Sequence, residues 1–305
     1  MNRRLKRVAE SAILASGVPR LTRRAHRSRV LVLAYHNIVP TGEVAEGDAT
    51  LHLPQREFAQ QLDAIRRTHD VVPLASIFDA PGVRGRPRVV ITFDDAYAGA
   101  LDAGLRELAR RDMPSTVFVA PGLLGRVTWW DALSRPGGAG LPEAVRNHAL
   151  VELAGKGDGV VSWAKSSGNF PAELQRRPRI ARLEEIERAV AESRVTLGSH
   201  TWSHPNLRAL TDADVREELS SSFEWLRAWF PDATIPWLSY PYGFWSEPVR
   251  DIAAEVGYAA AVRVEGGWVA AEGARAPYEI PRLNVPFGMS VNGLSLRLAG
   301  IAAGR

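Results

Sequence analysis

The 305-residue chain contains no cysteine. That removes disulfides, thiolate metal sites, cysteine nucleophiles and iron–sulfur clusters together. No run approaches the ~18 consecutive apolar residues needed to span a bilayer, so no transmembrane helix is expected. Acidic residues are scarce at the start: Glu10 stands alone among residues 1–30 against nine basic residues, Arg3, Arg4, Lys6, Arg7, Arg20, Arg23, Arg24, Arg27 and Arg29. This stretch carries +8, and because the whole chain carries +4, the remainder carries −4. A nucleic-acid groove would put its basic residues on the folded body, so no nucleic-acid partner is expected. The composition, 46% hydrophobic and 24% charged, is that of a globular chain and excludes disordered, collagen-like and coiled-coil classes. No internal repeat or low-complexity tract is visible.

Residues 1–28 form a basic N-terminal arm. As a signal peptide the arm is poor, because Glu10, Ser11 and Ser16 interrupt its apolar run and more arginines follow at once. Leu5, Val8, Ala12 and Ile13 fall at helical spacing beside Lys6 and Arg7, the pattern of a short basic amphipathic helix. Two readings stand open: a peripheral membrane contact through residues 1–28, or a solvated helix capping the body. The expected location is cytoplasmic, with the first reading putting the protein at the inner face of the membrane.

Residues 29–305 read as one domain. Continuous apolar runs mark buried strands at Arg29–Tyr35, Arg88–Phe93, Ser115–Ala120, Arg194–Gly198 and Tyr258–Val264. Helical spacing lies between them: Phe58, Leu62 and Ile65; Leu101, Leu105 and Leu108; and Val215, Leu219, Phe223 and Leu226, the last set opened by a capping box from Thr211 to Asp214. Buried strands alternating with helices predict a parallel α/β sheet covered on both faces. Residues 125–190 break the rhythm with TWWDAL, RPGGAGLP, GKGDG and a helical run over Ala181–Ala189. They are too long for a plain connection and predict a partly helical insertion over one end of the sheet.

Polar residues gather where strands end. Tyr35-His36-Asn37, Thr92-Phe93-Asp94-Asp95, Gly198-Ser199-His200 with His204, and Ser239-Tyr240-Pro241-Tyr242-Gly243 each follow a strand. In parallel α/β folds those ends share one face, and that face holds the site. One Asp suffices to cap the next helix, so the Asp94-Asp95 pair needs a further reason, metal binding or catalysis. His200 and His204, four residues apart, can bind one ion. Two imidazoles and one carboxylate leave a coordination position open to water, a catalytic rather than structural pattern. The cofactor expected is a divalent metal, zinc by default; iron, cobalt and manganese accept the same ligands.

Thr92-Phe93-Asp94-Asp95, His200-Thr201-Trp202-Ser203-His204 and Tyr240-Pro241-Tyr242-Gly243 resemble, in order and spacing, the first three motifs of polysaccharide deacetylases, the NodB-homology enzymes of carbohydrate esterase family four. The resemblance runs from about Val30 to Val285, with Tyr35-His36 and Phe58 to Leu74 similar to the opening of one bacterial branch. It implies a deformed (β/α) barrel, a divalent metal and removal of an N-acetyl group from an amino sugar. Carried over by motif, Asp95, His200 and His204 would hold the metal and Asp94 would be the general base. A backbone N–H near Tyr242 would face the oxyanion.

The chain departs from the family pattern twice. An Arg expected three residues before Tyr242 is Ser239, and the last motif lacks its His, reading Ile280-Pro281-Arg282-Leu283-Asn284-Val285. The expectation is that Arg282 replaces the missing Arg; the alternative pairs it with a surface carboxylate. His36 is the candidate acid or substrate contact, the alternative being a core-edge histidine bonded to backbone. The substrate-binding set comprises Tyr240, Pro241, Tyr242, Gly243, Trp202, Trp130 and Asn284, with Trp130 open to sugar stacking or to plain core packing. The partner expected is an acetylated amino sugar in a glycan or sugar conjugate. O-acetyl esterase action, or a silent carbohydrate-binding relic, are the other readings.

Overall fold

The computed structural model describes residues 3–44, 46–79, 85–134, 140–169, 178–270 and 276–301. Its strands are β1 Arg29–Tyr35, β2 Asn37–Val39, β3 His52–Pro54, β4 Asp70–Val71, β5 Arg88–Phe93, β6 Ser115–Val119, β7 Val195–Ser199, β8 Thr234–Ser239, β9 Ala260–Val262, β10 Trp268–Ala270 and β11 Leu283–Asn284. Its α-helices are α1 Arg3–Ala15, α2 Val18–Ala25, α3 Gln55–Thr68, α4 Leu105–Ala109, α5 Trp129–Leu133, α6 Glu143–Val151, α7 Gly157–Ser166, α8 Leu183–Glu192, α9 Asp212–Trp229, α10 Glu247–Val256 and α11 Val291–Leu298.

The main sheet runs β10-β1-β5-β6-β7-β8-β9, parallel throughout except for β10. β5 and β6 are buried along their whole length, which is why their residues form unbroken apolar runs rather than alternating ones. The segment that leads into and includes β11 closes the ring. Ile280 bridges to Val262 at the β9 edge, and Leu283–Asn284 pairs with Leu33–Ala34 of β1. The stretch from 280 to 284 therefore crosses between the two sheet edges and makes the deformed (β/α) barrel. This crossing brings Arg282 into the barrel interior, where it is fully buried.

Helices cover the outside. α3 buries Phe58, Leu62 and Ile65. α9 begins where the capping pattern put it, with the Thr211 hydroxyl accepting from the Asp214 N–H at 3.2 Å. The pattern at Leu101, Leu105 and Leu108 splits into a wide π-type turn over Ala100–Gly104 followed by α4. The strand expected at Tyr258–Val264 shortens to β9, because the Tyr258 ring leaves the sheet to stack on Phe223 of α9, centroids 4.8 Å apart.

The stretch expected as an insertion holds α5, α6 and α7, which share an apolar cluster including Trp129, Trp130, Leu133, Val145, Ala149 and Val160. Part of the RPGGAGLP loop, residues 135–139, lies outside the described residues. The last helix of that stretch, α8, instead packs on the barrel core through Ile186 and Ala189.

Candidate active site

The strand ends meet at one mouth. β1 hands its last carbonyl to the next strand's exit: the Asp94 N–H donates to Tyr35 O at 2.9 Å. Similarly the His200 N–H donates to Val119 O at 2.8 Å. These bonds extend the parallel ladders one step past the strands and set Asp94 and His200 on the same rim.

Asp95, His200 and His204 converge there. Their candidate ligand atoms all lie within 4.8 Å of one another, and all three residues are buried. Asp95 Oδ1 is 3.5 Å from His200 Nε2 and 3.3 Å from His204 Nε2, and the two Nε2 atoms are 3.1 Å apart. The Nδ1–H of His200 donates to Ser239 O at 2.7 Å, which leaves its Nε2 lone pair aimed at the cluster. Asp95 Oδ1 is buried without a hydrogen-bond partner. A carboxylate oxygen left that way is costly unless a cation compensates it. Burial first, then the charges of Asp94 and Asp131, push the Asp95 carboxyl well above its ordinary range, and burial pulls both imidazoles down. Neutral imidazoles and a carboxylate short of positive charge fit a divalent cation.

Asp94 lies beside this group with a different partner. Arg282 Nη1 donates to Asp94 Oδ1 at 2.7 Å and Nη2 to Oδ2 at 2.6 Å, a bidentate pair. Nη2 also donates to Ser239 Oγ at 2.8 Å, Nη1 to Thr92 Oγ1 at 3.1 Å and Nε to Arg263 O at 3.2 Å. The guanidinium stands over the Phe118 ring, 5.5 Å from its centroid. Gly198 is what admits that ring, since a Cβ there would meet it at 2.6 Å. Burial raises the Asp94 pKa, but the charges of Arg282 and His200 and the Arg282 hydrogen bonds outweigh it, so Asp94 stays ionised far below neutral pH.

The remaining candidates divide. Tyr242 does reach the cluster: its ring lies 4.6 Å from that of His204, edge-on, and its hydroxyl donates to His204 O at 3.3 Å. Pro241 is buried in the same short turn, and Gly243 has φ +73° with Val264 packed where a Cβ would go. Tyr240 does not face the mouth. Successive residues at a strand end point to opposite sides, so Ser239 meets Asp94 while Tyr240 turns into the cluster formed by Leu207, Val249 and Ile252. Trp130 is buried, its ring 4.8 Å from that of His204, a packing role on the histidine rather than an open stacking face.

Trp202 keeps an exposed face, 36% accessible, between the two histidines. Asn284 stands at the end of β11 with its Oδ1 buried and unpartnered. His36 is half-buried between β1 and β2. Burial lowers its pKa to about 4; Asp94 opposes this and Arg282, His200 and His52 reinforce it. It is therefore neutral at pH 7.

Several residues that the sequence did not single out support the site. Asp131, next to Trp130 and fully buried, accepts from Tyr97 Oη at 2.5 Å, Thr128 Oγ1 at 3.0 Å, His52 Nε2 at 3.0 Å and Asp48 N at 2.9 Å. Trp130 Nε1 donates to Tyr97 Oη at 2.8 Å, so Asp131 fixes the ring that packs on His204. Glu218 of α9 accepts from Ser203 N at 2.8 Å and Ser203 Oγ at 2.6 Å, pinning the loop between the histidines. Asp131 sat in the quoted TWWDAL stretch, but nothing local distinguishes a hub from a solvated acid. Of the seven described non-glycine residues with positive φ, five (Asp95, Ala96, Thr201, His204 and Tyr242) belong to this rim. Strained backbone of this kind costs about 1 kcal/mol or more per residue and collects where function holds it.

A family model described as polysaccharide deacetylase matches residues 82–261. A chitooligosaccharide deacetylase of Sinorhizobium fredii is 33% identical over 75 residues, 25% of this chain and 34% of the relative. One from a Bradyrhizobium species is 34% identical over 77 residues, 25% of this chain and 35% of the relative. The chain thus spans about a third of the length of these relatives.

Among solved structures, IcaB from Ammonifex degensii superposes with a TM-score of 0.61 at 19% identity, covering 89% of this chain and 97% of that one. The Streptococcus pyogenes deacetylase PplD gives 0.60 at 17% identity, covering 88% and 98%. At such identities the likeness is one of fold.

Proposed function

The chain belongs to the polysaccharide deacetylase family, and from that premise we propose that it is a metal-dependent hydrolase that removes N-acetyl groups from an amino sugar. The observation that carries this reading is the buried convergence of Asp95, His200 and His204 beside an Asp94 clamped by Arg282. Asp95, His200 and His204 would hold the ion. A divalent cation there supplies Lewis acidity to the amide carbonyl and lowers the pKa of bound water toward ~7. Zinc suits two imidazoles and a carboxylate.

The protein's own groups do the rest. Asp94, kept ionised by Arg282, accepts the proton of the attacking water, and its two oxygens are too firmly held to rotate away. Ser239 and Arg282 together fill the place of the single arginine of the family pattern: Ser239 is small enough for the guanidinium to arrive from the closing segment. The peptide at Tyr242, turned by its left-handed conformation, is the proposed oxyanion donor. His36, neutral at pH 7, serves as a substrate contact rather than a resting proton donor. The protonated Asp94 then returns its proton to the departing amine. Trp202 offers the exposed ring for a sugar face.

The depressed His36 pKa gives the O-acetyl reading some weight, because an ester leaving group needs less protonation. Acetate release separates the two. With chitooligosaccharides, release is expected to stop on chelation and to return with added zinc. Acetate from O-acetylated glycans alone would replace this reading with the esterase. No acetate from either, with no bound metal, would leave the silent relic.

One consequence concerns Asp131. Its replacement by Asn removes a buried negative charge near the cluster and loosens Trp130 against His204. The expected result is metal binding weakened about 10–100-fold in calorimetric titration of zinc. Unchanged affinity would reduce the hub to a structural tie.

A further inference from the structure

The outer surface of the N-terminal helices is built unlike the rest of the molecule. Eleven large apolar side chains are exposed among the described residues, and five of them, Leu5, Val8, Ile13, Val18 and Leu21, fall within seventeen consecutive positions. Leu5, Val8 and Leu21 are each more than 60% accessible. Scattered exposed leucines need no explanation, but a concentration on two adjacent helices does.

The roll of α1 is fixed by its contact with the body. Glu10 is buried and accepts from Ser290 Oγ at 2.7 Å, next to the N-terminus of α11. A carboxylate at that end of a helix is favoured by its dipole. Asn292 Nδ2 donates to Ser11 Oγ at 3.0 Å on the same side. At about 100° per residue, Leu5, Val8 and Ala12 lie roughly opposite Glu10. The acid therefore faces the protein while Leu5, Val8 and Ala12 face away, whereas an ordinary surface helix turns its apolar stripe inward. In α2, Pro19 is buried while Val18 and Leu21 are exposed.

Charge completes the pattern. The sole acid among residues 1–42 is the inward-facing Glu10, whereas Lys6, Arg20, Arg24, Arg27 and Arg29 are all exposed. The outer face of α1 and α2 thus offers apolar and basic groups with no exposed carboxylate. A phosphate backbone would use the arginines but not the aliphatic stripe. A second copy of the same face would bring like charges together.

We infer that α1 and α2 form a docking surface for an anionic lipid bilayer, on which the protein lies with its first two helices in the headgroup region. The aliphatic side chains enter the acyl boundary and the basic side chains reach lipid phosphates. The barrel, tied to α1 through Glu10 and α11, is held in a fixed attitude to the bilayer, so the deacetylase mouth would be presented at a defined height above it.

The test uses the full chain in flotation with vesicles of phosphatidylcholine alone and of phosphatidylcholine mixed with phosphatidylglycerol. Binding to the mixed vesicles is expected to be at least ~10-fold tighter than to neutral ones and to weaken with salt. The Leu5→Gln/Val8→Gln/Leu21→Gln protein should lose at least ~10-fold of that binding with an unchanged Tm, because all three side chains are already exposed. An Arg20→Gln/Arg24→Gln protein should lose the preference for anionic vesicles.

Four results would each overturn the inference. One is wild-type protein that leaves mixed vesicles unbound. Another is a triple variant that binds them as well as wild type. The third is vesicle binding that RNA displaces completely, and the fourth is a wild-type dimer that the triple variant abolishes in the absence of lipid. Acetate release is read separately, so failure here leaves the deacetylase assignment untouched.

Discussion

Replacing Asp94 by Asn is expected to lower kcat/KM for acetate release by about 10²–10⁴-fold, the range for loss of a positioned general base. The amide keeps the shape but cannot take a proton. The Asp95, His200 and His204 group does not include Asp94, so bound zinc, measured by elemental analysis, should remain near wild type. The substitution also leaves the Arg282 guanidinium buried without its counter-charge, so Tm should fall as well. Activity near wild type would remove Asp94 from the chemistry. Loss of activity together with loss of zinc would move it into the metal shell.

The second large effect concerns Arg282 itself. Arg282→Met strands the Asp94 carboxylate in a buried site and is expected to cost about 3–5 kcal/mol of stability, read from denaturant unfolding. Lysine should rescue little, since one ammonium cannot reproduce two parallel N–H bonds and the contact with the Phe118 ring. The double variant Asp94→Asn/Arg282→Met removes both charges and should recover much of the stability while remaining inactive, separating the structural from the chemical contribution of the pair.

The dependence on pH follows from the direction of the Asp94 shift. Its folded pKa lies below the unfolded value of roughly 3.9, so its stabilising contribution is present above that value and fades as the pH falls through the folded pKa. Without Arg282, burial, which raises the Asp94 pKa, is opposed only by His200 and His36, so the pKa rises and the stabilising contribution above the unfolded value is lost. The gap between the two proteins should therefore be widest near neutrality and narrow toward acid. A gap independent of pH would mean that the ion pair is not what Arg282 contributes.

Much of this was legible in the sequence, and for identifiable reasons. The strands at Arg29–Tyr35 and Arg88–Phe93 appear with the bounds that the sequence marks, because a strand covered on both faces reads as one continuous apolar run rather than an alternating one. Thr211 marked the start of α9 because a cap is a bond between residues three apart. The metal-type residues stood out because parallel strands deliver their last residues to one face.

What the sequence leaves unresolved has equally local causes. Tyr240 sits among residues that belong to the cleft, but a one-residue step along a strand reverses the direction of a side chain. Trp130 looked the same whether its ring met a sugar or His204.

By itself, then, the amino-acid order determined the parallel α/β class, the rim on which the polar groups gather and the basic, apolar arm, since each is written in short-range periodicity and in the kinds of residue that end a strand; the barrel was implied by the resemblance of its motifs. Only the tertiary structure decided that Arg282 holds Asp94 across 188 positions, that Asp131 braces the ring behind His204, and that Glu10 turns the apolar stripe of α1 outward. Such pairings depend on how the closing segment and the insertion fold back over the sheet, and contacts between distant residues leave no repeat along the chain from which to read them.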